Sequence, residues 1–281
     1  MPWRSPTPWS ADSGQPWRRK ATMKTRRRLD AELVRRGLVT SRTEAQRLIT
    51  VGGVTVAGRP SARAATLVAP DDPIVLATET QWASRAGEKL AAGLAAFGIV
   101  VPGCRALDVG ASTGGFTDVL LTSGAAQVTA VDVGYGQMVS RLRTDPRVLV
   151  HDRTNFRTVD VADLGAPFDL VVMDVSFISV TLLAANLARA GRAGTEYVVL
   201  VKPQFEVGRA AVGSGGIVRD DVAREGAVAA VAAALRSAGI APRGLIRSPI
   251  RGTKGNLEFL LHAIHGGDPV DSGTLLAGLA P

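Results

Sequence analysis

From residue 105 onward, short apolar runs rich in valine alternate with longer helical segments along this 281-residue chain. Strands that alternate with helices pair in parallel, because each connection crosses one face of the sheet before the next strand begins. The pattern therefore predicts an α/β fold with a parallel, doubly wound sheet. Strands are expected at 105–109, 127–132, 147–150, 168–174, 196–202, 243–248 and 257–263, and helices at 115–123, 179–190 and 219–238.

A basic segment with a different pattern precedes this region. Residues 24–63 contain ten Lys or Arg residues and three acidic ones, whereas the net charge of the whole chain is +8. Leu29 and Leu33 share one face of a first helix that Gly37 ends, and Ser41 is placed to cap a second helix. A small basic domain beside a near-neutral one is typical of polyanion binding, and the alternative is a solvated basic surface.

The order Leu-x-x-x-Leu, Gly-Leu, Ser-Arg, Leu-Ile, Gly-x-Val-x-Val resembles the RNA-binding domain named after ribosomal protein S4, over roughly residues 28–80. This resemblance implies that RNA is the polyanion. Basic side chains on the outer faces of the two helices would then reach phosphates. The RNA-binding residues expected are Lys24, Arg26, Arg27, Arg28, Arg35, Arg36, Arg42, Arg47 and Arg85.

A glycine-rich turn follows the first strand of the α/β region, in the string DVGASTGGF that begins at Asp108. Its glycines allow the backbone to approach a ligand at the carboxyl end of the strand. The dinucleotide pattern G-x-G-x-x-G fails, because Ser112 stands where a second glycine would admit a pyrophosphate. Asp108 would instead suit a cationic amino-acid moiety, met directly or through water.

Two further acids follow the next strands. Asp132 ends the second strand, where a carboxylate can bind both ribose hydroxyls of a nucleoside, and Asp152 either accepts from an adenine amino group or caps a turn. The pattern resembles that of the S-adenosylmethionine methyltransferases, which implies S-adenosyl-L-methionine as cofactor. The cofactor-binding residues expected are Asp108, Gly110, Ala111, Ser112, Thr113, Gly114, Gly115, Phe116, Asp132, Val133, Asp152 and Asp174.

Four charged residues form the predicted catalytic set, namely Lys89, Asp174, Lys202 and Glu258. Asp174 and Lys202 each close a buried parallel strand, and a charged residue there normally faces the site rather than the core. Each residue alone could be a structural ion pair. Their order resembles the Lys-Asp-Lys-Glu tetrad of RNA ribose 2′-O-methyltransferases.

The strings SRAGEKL, DVGASTGGF, VDVGYGQ, RTN, DVSFIS and VKPQFEVG complete a resemblance to the TlyA-type rRNA methyltransferases, a family first labelled hemolysin, over nearly all of residues 24–265. It implies a Rossmann-like class I methyltransferase domain preceded by a small α+β S4-type domain. It also implies methylation of cytidine ribose in 16S and 23S rRNA. Residues 1–23 depart from the family pattern. The division expected is a disordered basic tail at 1–23, the S4-type domain at 24–80, a linker at 81–86, the methyltransferase domain at 87–267 and a C-terminal tail at 268–281.

The proposed chemistry needs in-line alignment and the removal of one proton from the acceptor hydroxyl. Lys202 would engage that hydroxyl as a base if neutral, or would orient the oxygen if charged. Nearby Lys89 would lower the pKa of Lys202, whereas Asp174 and Glu258 would raise it, and the sequence leaves the balance open.

Other functions are disfavoured by specific sequence features. A non-catalytic RNA-binding protein would not need the tetrad and the glycine loop, and base methylation would favour an Asn/Asp-Pro-Pro-aromatic motif where Asp174-Val-Ser-Phe stands. A membrane-active hemolysin finds no support in a signal peptide or a long apolar run, so a cytoplasmic protein is expected. Either translation begins at Met23, just before the ordered pattern, or the preceding segment is a genuine tail that contacts RNA. One cysteine and three histidines without ligand spacing predict no metal site.

Overall fold

The computed structural model describes residues 26–50, 52–61, 63–76, 81–208 and 211–277. The expected tail at 1–23 and the predicted RNA contact Lys24 lie outside the described residues. Among the helices within these ranges, none is long and apolar enough to cross a membrane.

The N-terminal domain is a pair of short helices packed against small antiparallel sheets. Leu29 and Leu33 are fully buried in its core, as their shared helical face predicts, and Gly37 follows the first helix with a φ of 68°. The Ser41 hydroxyl accepts a hydrogen bond from the Glu44 backbone N–H at 3.1 Å, which confirms the predicted cap. The elements are β1 (Arg27–Arg28), α1 (Leu29–Arg35), α2 (Arg42–Thr50), β2 (Val54–Val56), β3 (Arg59–Pro60), β4 (Leu67–Val68) and β5 (Ile74–Leu76).

A seven-stranded sheet forms the centre of the second domain, and its strands lie close to where the apolar runs predict them. In its first half, the chain forms α3 (Ala86–Phe97), β6 (Arg105–Val109), α4 (Gly115–Thr122), β7 (Gln127–Val131), α5 (Ser140–Arg143), β8 (Val148–His151) and β9 (Leu170–Met173). In its second half, the chain forms α6 (Ala184–Ala190), β10 (Glu196–Val201), α7 (Pro203–Glu206), α8 (Asp221–Ser237), β11 (Ile240–Arg247), β12 (Phe259–His265) and α9 (Ser272–Ala277).

The strand order is β11-β12-β10-β9-β6-β7-β8, and the sheet is mixed rather than wholly parallel as predicted. The five strands from β10 to β8 are parallel, but β12 is antiparallel to both of its neighbours. The reason is the connection from β11 to β12, which contains no crossover helix and therefore returns the chain in the opposite direction.

Both faces of the sheet are covered, as expected for a doubly wound fold. Val171 and Met173 of β9 face the core under α6 and α8, whereas Leu170 and Val172 face the core under α3 and α4. Burial on both faces explains why the parallel strands are continuously apolar instead of alternating.

Two segments differ from the sequence prediction. The helix expected at 179–190 begins as a 3-10 turn at Val180–Leu183 before α6 continues it. The expected tail at 268–281 contains α9, and Leu275 is buried in the sheet core at 3% exposure. The apolar residues of this 14-residue stretch are interrupted by Asp, Pro and Gly, which gives little helical periodicity from which this docking could be predicted.

Two buried carboxylates on α1 organise the arginines of the N-terminal domain. Glu32 is fully buried and accepts hydrogen bonds from Arg35 at 2.7 Å and from Arg36 at 2.8 Å. The Arg35 guanidinium is the main reason that the pKa of Glu32 is lowered to about 2, and the contact with Arg36 adds to this. Asp30, also fully buried, contacts Arg28 and Arg42 at 3.0 Å each.

Replacing Glu32→Gln should lower the free energy of unfolding at pH 7 by about 1–3 kcal/mol, because two guanidinium groups lose their charged acceptor. Since the pKa of Glu32 is lower in the folded state, its stabilisation is present above pH 5 and disappears as the pH falls towards 2. The difference between wild type and variant in urea unfolding should therefore shrink between pH 5 and pH 2. A difference that is constant with pH would contradict the assignment.

Candidate active site

The carboxyl ends of β6 and β9 come together at Gly110. A Cβ atom at Gly110 would lie 2.5 Å from the backbone carbonyl oxygen of Asp174, and the φ of this residue is 88°. Gly114, with a φ of 96°, is the residue that precedes α4. A residue with a side chain would be strained at either position, so the sequence dictates this loop locally.

Asp108 lies in β6, two residues before this loop, and is fully buried. Its Oδ2 accepts a hydrogen bond from the Thr117 hydroxyl at 2.7 Å, while its Oδ1 is buried and has no hydrogen-bond partner within the described part of the chain. Burial raises the pKa of Asp108 to about 7; the Thr117 hydrogen bond opposes this rise, and the negative charge of Asp174 adds to it. Such an unsatisfied carboxylate is costly unless a ligand or a water molecule supplies the missing donor, and a cationic donor would also stabilise the charged form.

Asp132 follows β7 and holds the glycine loop. Its Oδ2 accepts from the Ser112 backbone N–H at 2.8 Å and its Oδ1 from the Gly134 N–H at 2.7 Å. Each carboxylate oxygen retains a second lone pair, so both can still accept from ribose hydroxyls. Beside it, Val133 is 71% exposed and offers an apolar surface.

Asp152 is engaged within the protein. It forms an ion pair with Arg143 and accepts from the Gly136 backbone N–H at 3.2 Å. These contacts are the ones expected if Asp152 caps a turn, which is one of the two roles that the sequence allows. A contact between Asp152 and an adenine amino group stays a prediction.

The four residues of the predicted tetrad line one cleft of about 1640 Å³ and form two ion pairs. Lys89 Nζ lies 2.6 Å from Glu258 Oε2, and Lys202 Nζ lies 2.6 Å from Asp174 Oδ1. The first pair joins α3 to the start of β12, and the second joins the ends of β9 and β10. All four side chains are at most 15% exposed.

Lys202 has a second partner that the sequence does not single out. Its ammonium donates to the Ser176 hydroxyl at 2.8 Å. Although Asp174 Oδ1 is close to this ammonium, it has no hydrogen bond of good geometry among the residues described. Lys202 therefore forms its well-aligned hydrogen bond with Ser176, whereas Asp174 interacts with the ammonium chiefly through its negative charge.

The cleft extends to the N-terminal domain. Thr50, Gly52 and Ser61 of that domain line it together with Trp82 and Arg85 of the segment between the domains. The Arg85 guanidinium packs against Gly52, where a Cβ atom would lie 2.8 Å from Nη2. The domain with the basic helices thus forms one wall of the cleft that holds the tetrad.

The arginines that are predicted to contact RNA differ in how far their side chains are exposed to solvent. The side chains of Arg28, Arg35 and Arg42 are 48%, 47% and 58% exposed although each pairs with a buried carboxylate. Arg36 is only 19% exposed, and its guanidinium also donates to the backbone carbonyls of Ala69, Pro70 and Asp72. Arg26 and Arg27 are exposed, and Arg47 lies in α2.

Several cleft residues were missed by sequence reasoning although they flank predicted ones. Phe177 is 90% exposed, has a φ of 66° and lies 5.2 Å from the ring of Phe205. Gln204 also lines the cleft, as does Ser176. Their adjacency to Asp174 and Lys202 was the available signal, but adjacency does not tell which way a side chain points.

Comparisons with known proteins decide the family. The FtsJ-like methyltransferase family model matches residues 82–264, and the S4 domain model matches residues 27–74. The chain belongs to the FtsJ-like methyltransferase family. The expected class I methyltransferase fold behind an S4 domain is thereby confirmed.

Relatives of this methyltransferase extend over both domains. The 16S/23S rRNA (cytidine-2′-O)-methyltransferase TlyA of Mycobacterium tuberculosis is 47% identical over 241 residues, which cover 85% of this chain and 90% of the relative. Hemolysin A of Brachyspira hyodysenteriae is 39% identical over 238 residues, with 84% and 99% covered. A solved structure of a hemolysin-labelled protein from Streptococcus thermophilus superposes with a TM-score of 0.70 at 36% identity, covering 90% of this chain and 95% of that one.

The residues present in this methyltransferase fit S-adenosylmethionine. The buried, unsatisfied Asp108 carboxylate suits the ammonium of the methionine moiety, and Asp132 suits the ribose hydroxyls. At Gly110 the loop closely approaches the neighbouring strand end, and Ser112 to Gly114 form the turn before α4. When bound, the cofactor supplies an electrophilic methyl group on a sulfonium.

Replacing Asp108→Asn should stabilise the ligand-free methyltransferase and weaken cofactor binding. Because the pKa of Asp108 is raised in the folded state, its protonated form favours folding below pH 4, and this stabilisation is lost as the pH rises to about 7. The variant should therefore melt about 2–4 °C above wild type at pH 8, with a smaller difference at pH 5. Calorimetry should show cofactor affinity reduced roughly tenfold or more, because a charge-assisted contact is lost.

The exposed Asp163→Asn is the matched control, and it should change neither quantity. An Asp108→Asn variant that binds the cofactor as wild type does would contradict the role given to Asp108.

Proposed function

We propose that this protein transfers the methyl group of S-adenosylmethionine to the ribose 2′-hydroxyl of cytidine in 16S and 23S rRNA. The observation that carries the proposal is the meeting of the Lys202–Asp174 and Lys89–Glu258 pairs in one cleft beside the glycine loop. The 47% identical relative from Mycobacterium tuberculosis, 90% of which is covered, is a 16S/23S rRNA (cytidine-2′-O)-methyltransferase, and this activity supports the same acceptor.

The tetrad suits a hydroxyl acceptor. The 2′-oxygen forms a bond to the methyl carbon as the carbon–sulfur bond breaks, and the hydroxyl proton must leave. Lys202 Nζ, held by Ser176 at 2.8 Å, is the group that meets this oxygen. It either accepts the proton itself, or it aligns a lone pair with the methyl group while the proton passes to solvent. A pH–rate profile separates the two roles, because a base loses activity when it is protonated and an aligning ammonium loses activity when it is deprotonated.

The N-terminal domain suits the delivery of RNA to this cleft. Its exposed arginines would neutralise phosphates, and because it forms one wall of the cleft, RNA held there lies next to the tetrad. A 2′-hydroxyl acceptor also makes the reaction selective for RNA, since DNA lacks the reacting group.

Purified protein should transfer labelled methyl from S-adenosylmethionine to unmethylated ribosomal subunits, and the label should map to a cytidine ribose. Lys202→Ala should lower kcat about 10²- to 10⁴-fold, as expected for loss of a proton-transfer or aligning group. Cofactor affinity measured by calorimetry should stay close to wild type, which shows that the variant is folded.

A label on a base would still show methyltransferase activity, but it would contradict the role that the tetrad is given in ribose methylation. If neither subunit accepts label while the cofactor binds, rRNA is the wrong substrate. The control is Arg236→Ala on the exposed surface of α8, which should leave transfer unchanged.

Replacing Arg26→Ala and Arg27→Ala together should weaken RNA binding and flatten its dependence on salt. Each phosphate contact that is lost should reduce the slope of log K against log salt by about one. These two exposed arginines are preferred because replacing Arg35 or Arg42 would also remove one partner of a buried carboxylate. An unchanged salt slope would remove Arg26 and Arg27 from the RNA interface.

A further inference from the structure

Two catalytic side chains of the cleft stand on short loops rather than on the rigid sheet. Asp174 follows β9 and begins the loop that runs to the 3-10 turn at Val180, while Lys202 follows β10 and immediately precedes α7. The parallel pairing of β9 and β10 brings both loops to the same edge of the sheet, and a tie between the loops would help to keep the ammonium and the carboxylate 2.6 Å apart.

Glu206, the last residue of α7, forms such a tie. Its Oε2 accepts from the Ser179 hydroxyl at 2.5 Å, and its Oε1 accepts from the Val180 backbone N–H at 3.0 Å. The carboxylate is partly buried, and burial raises its pKa, although both hydrogen bonds oppose the rise. An acid is thus kept in a partly buried position, and both of these hydrogen bonds come from the opposite loop.

The segment that Glu206 fastens is strained and contains the hydrogen-bond partner of Lys202. Phe177 adopts a φ of 66°, which a non-glycine residue rarely takes unless its surroundings impose it. Ser176, its neighbour, accepts from Lys202 at 2.8 Å. Releasing the far end of this segment would let Phe177 relax and would carry Ser176 away from the ammonium.

We propose that Glu206 is a positioning residue for the methyl transfer: its carboxylate anchors residues 179–180, and thereby holds Ser176 and Asp174 against Lys202. Glu206 acts through this loop and not on the substrate. The expected effect on kcat rests on the proposed function. The expected displacement of Ser176 and Asp174 from Lys202 can be measured without any acceptor RNA.

The first measurement is the rate at which an amine-acylating reagent modifies Lys202 in the full-length protein, followed by peptide mass spectrometry. Glu206→Ala should raise the rate at Lys202 several-fold, because the ammonium loses its partners. The exposed Lys254 in the same sample is the internal reference and should react as in wild type. Glu225→Gln, at an exposed glutamate of α8, is the matched control protein.

The second measurement is methyl transfer. Glu206→Ala should lower kcat about 10- to 100-fold with KM for RNA and cofactor affinity within about twofold of wild type, since only alignment is lost. Glu206→Gln should recover part of the activity, because an amide oxygen can still accept from Val180. This milder variant also serves if the alanine variant is poorly folded.

A double-mutant cycle with Ser176→Ala separates positioning from general stability. If Glu206 acts through Ser176, Glu206→Ala should cost less than about threefold in kcat once Ser176 is absent. Independent, multiplicative losses together with unchanged acylation of Lys202 would overturn the proposal. If RNA accepts no methyl group at all, the proposed function fails, and the acylation rates alone then decide the role of Glu206.

Discussion

The approach of the glycine loop to the end of β9 is the constraint on which the active site depends. Gly110 lies so close to the Asp174 carbonyl that a Cβ atom there would be 2.5 Å from it. This approach brings a cofactor loop on one strand next to a tetrad residue on its parallel neighbour. Since parallel strands end at the same edge of a sheet, the glycine loop and Lys202 line one cleft.

Charge pairing is the second organising principle, and it operates in both domains. In the cleft, each lysine of the tetrad has a carboxylate at 2.6 Å, so the four charges can be buried together. In the N-terminal domain, the buried Asp30 and Glu32 hold three arginines that remain about half exposed, namely Arg28, Arg35 and Arg42. Prearranged guanidinium groups lose less side-chain freedom on binding phosphates than free ones would.

Much of the fold could be predicted because local sequence patterns determine where its strands, helix caps and turns lie. The strand bounds, the caps around Gly37 and Ser41, and the glycine loop all follow from residue preferences over a few positions. The direction of β12 could not be predicted, because the same apolar run is compatible with a parallel or an antiparallel pairing. Nor could the docking of α9 be predicted, since a buried side chain such as Leu275 in so short a helix leaves little pattern in the sequence.

The sequence by itself determined which residues are candidates for the chemistry: the tetrad, the acids in β6 and after β7, and the basic N-terminal domain are predicted from motif and spacing. Only the tertiary structure decided how they are used. In the folded chain, Lys202 contacts Ser176 as well as Asp174, and Asp152 forms an ion pair with Arg143. The Arg36 guanidinium donates to backbone carbonyls and is therefore less available to RNA. The physical reason is that a motif specifies residue types along the chain, whereas a hydrogen bond depends on the direction and distance of groups that folding brings together.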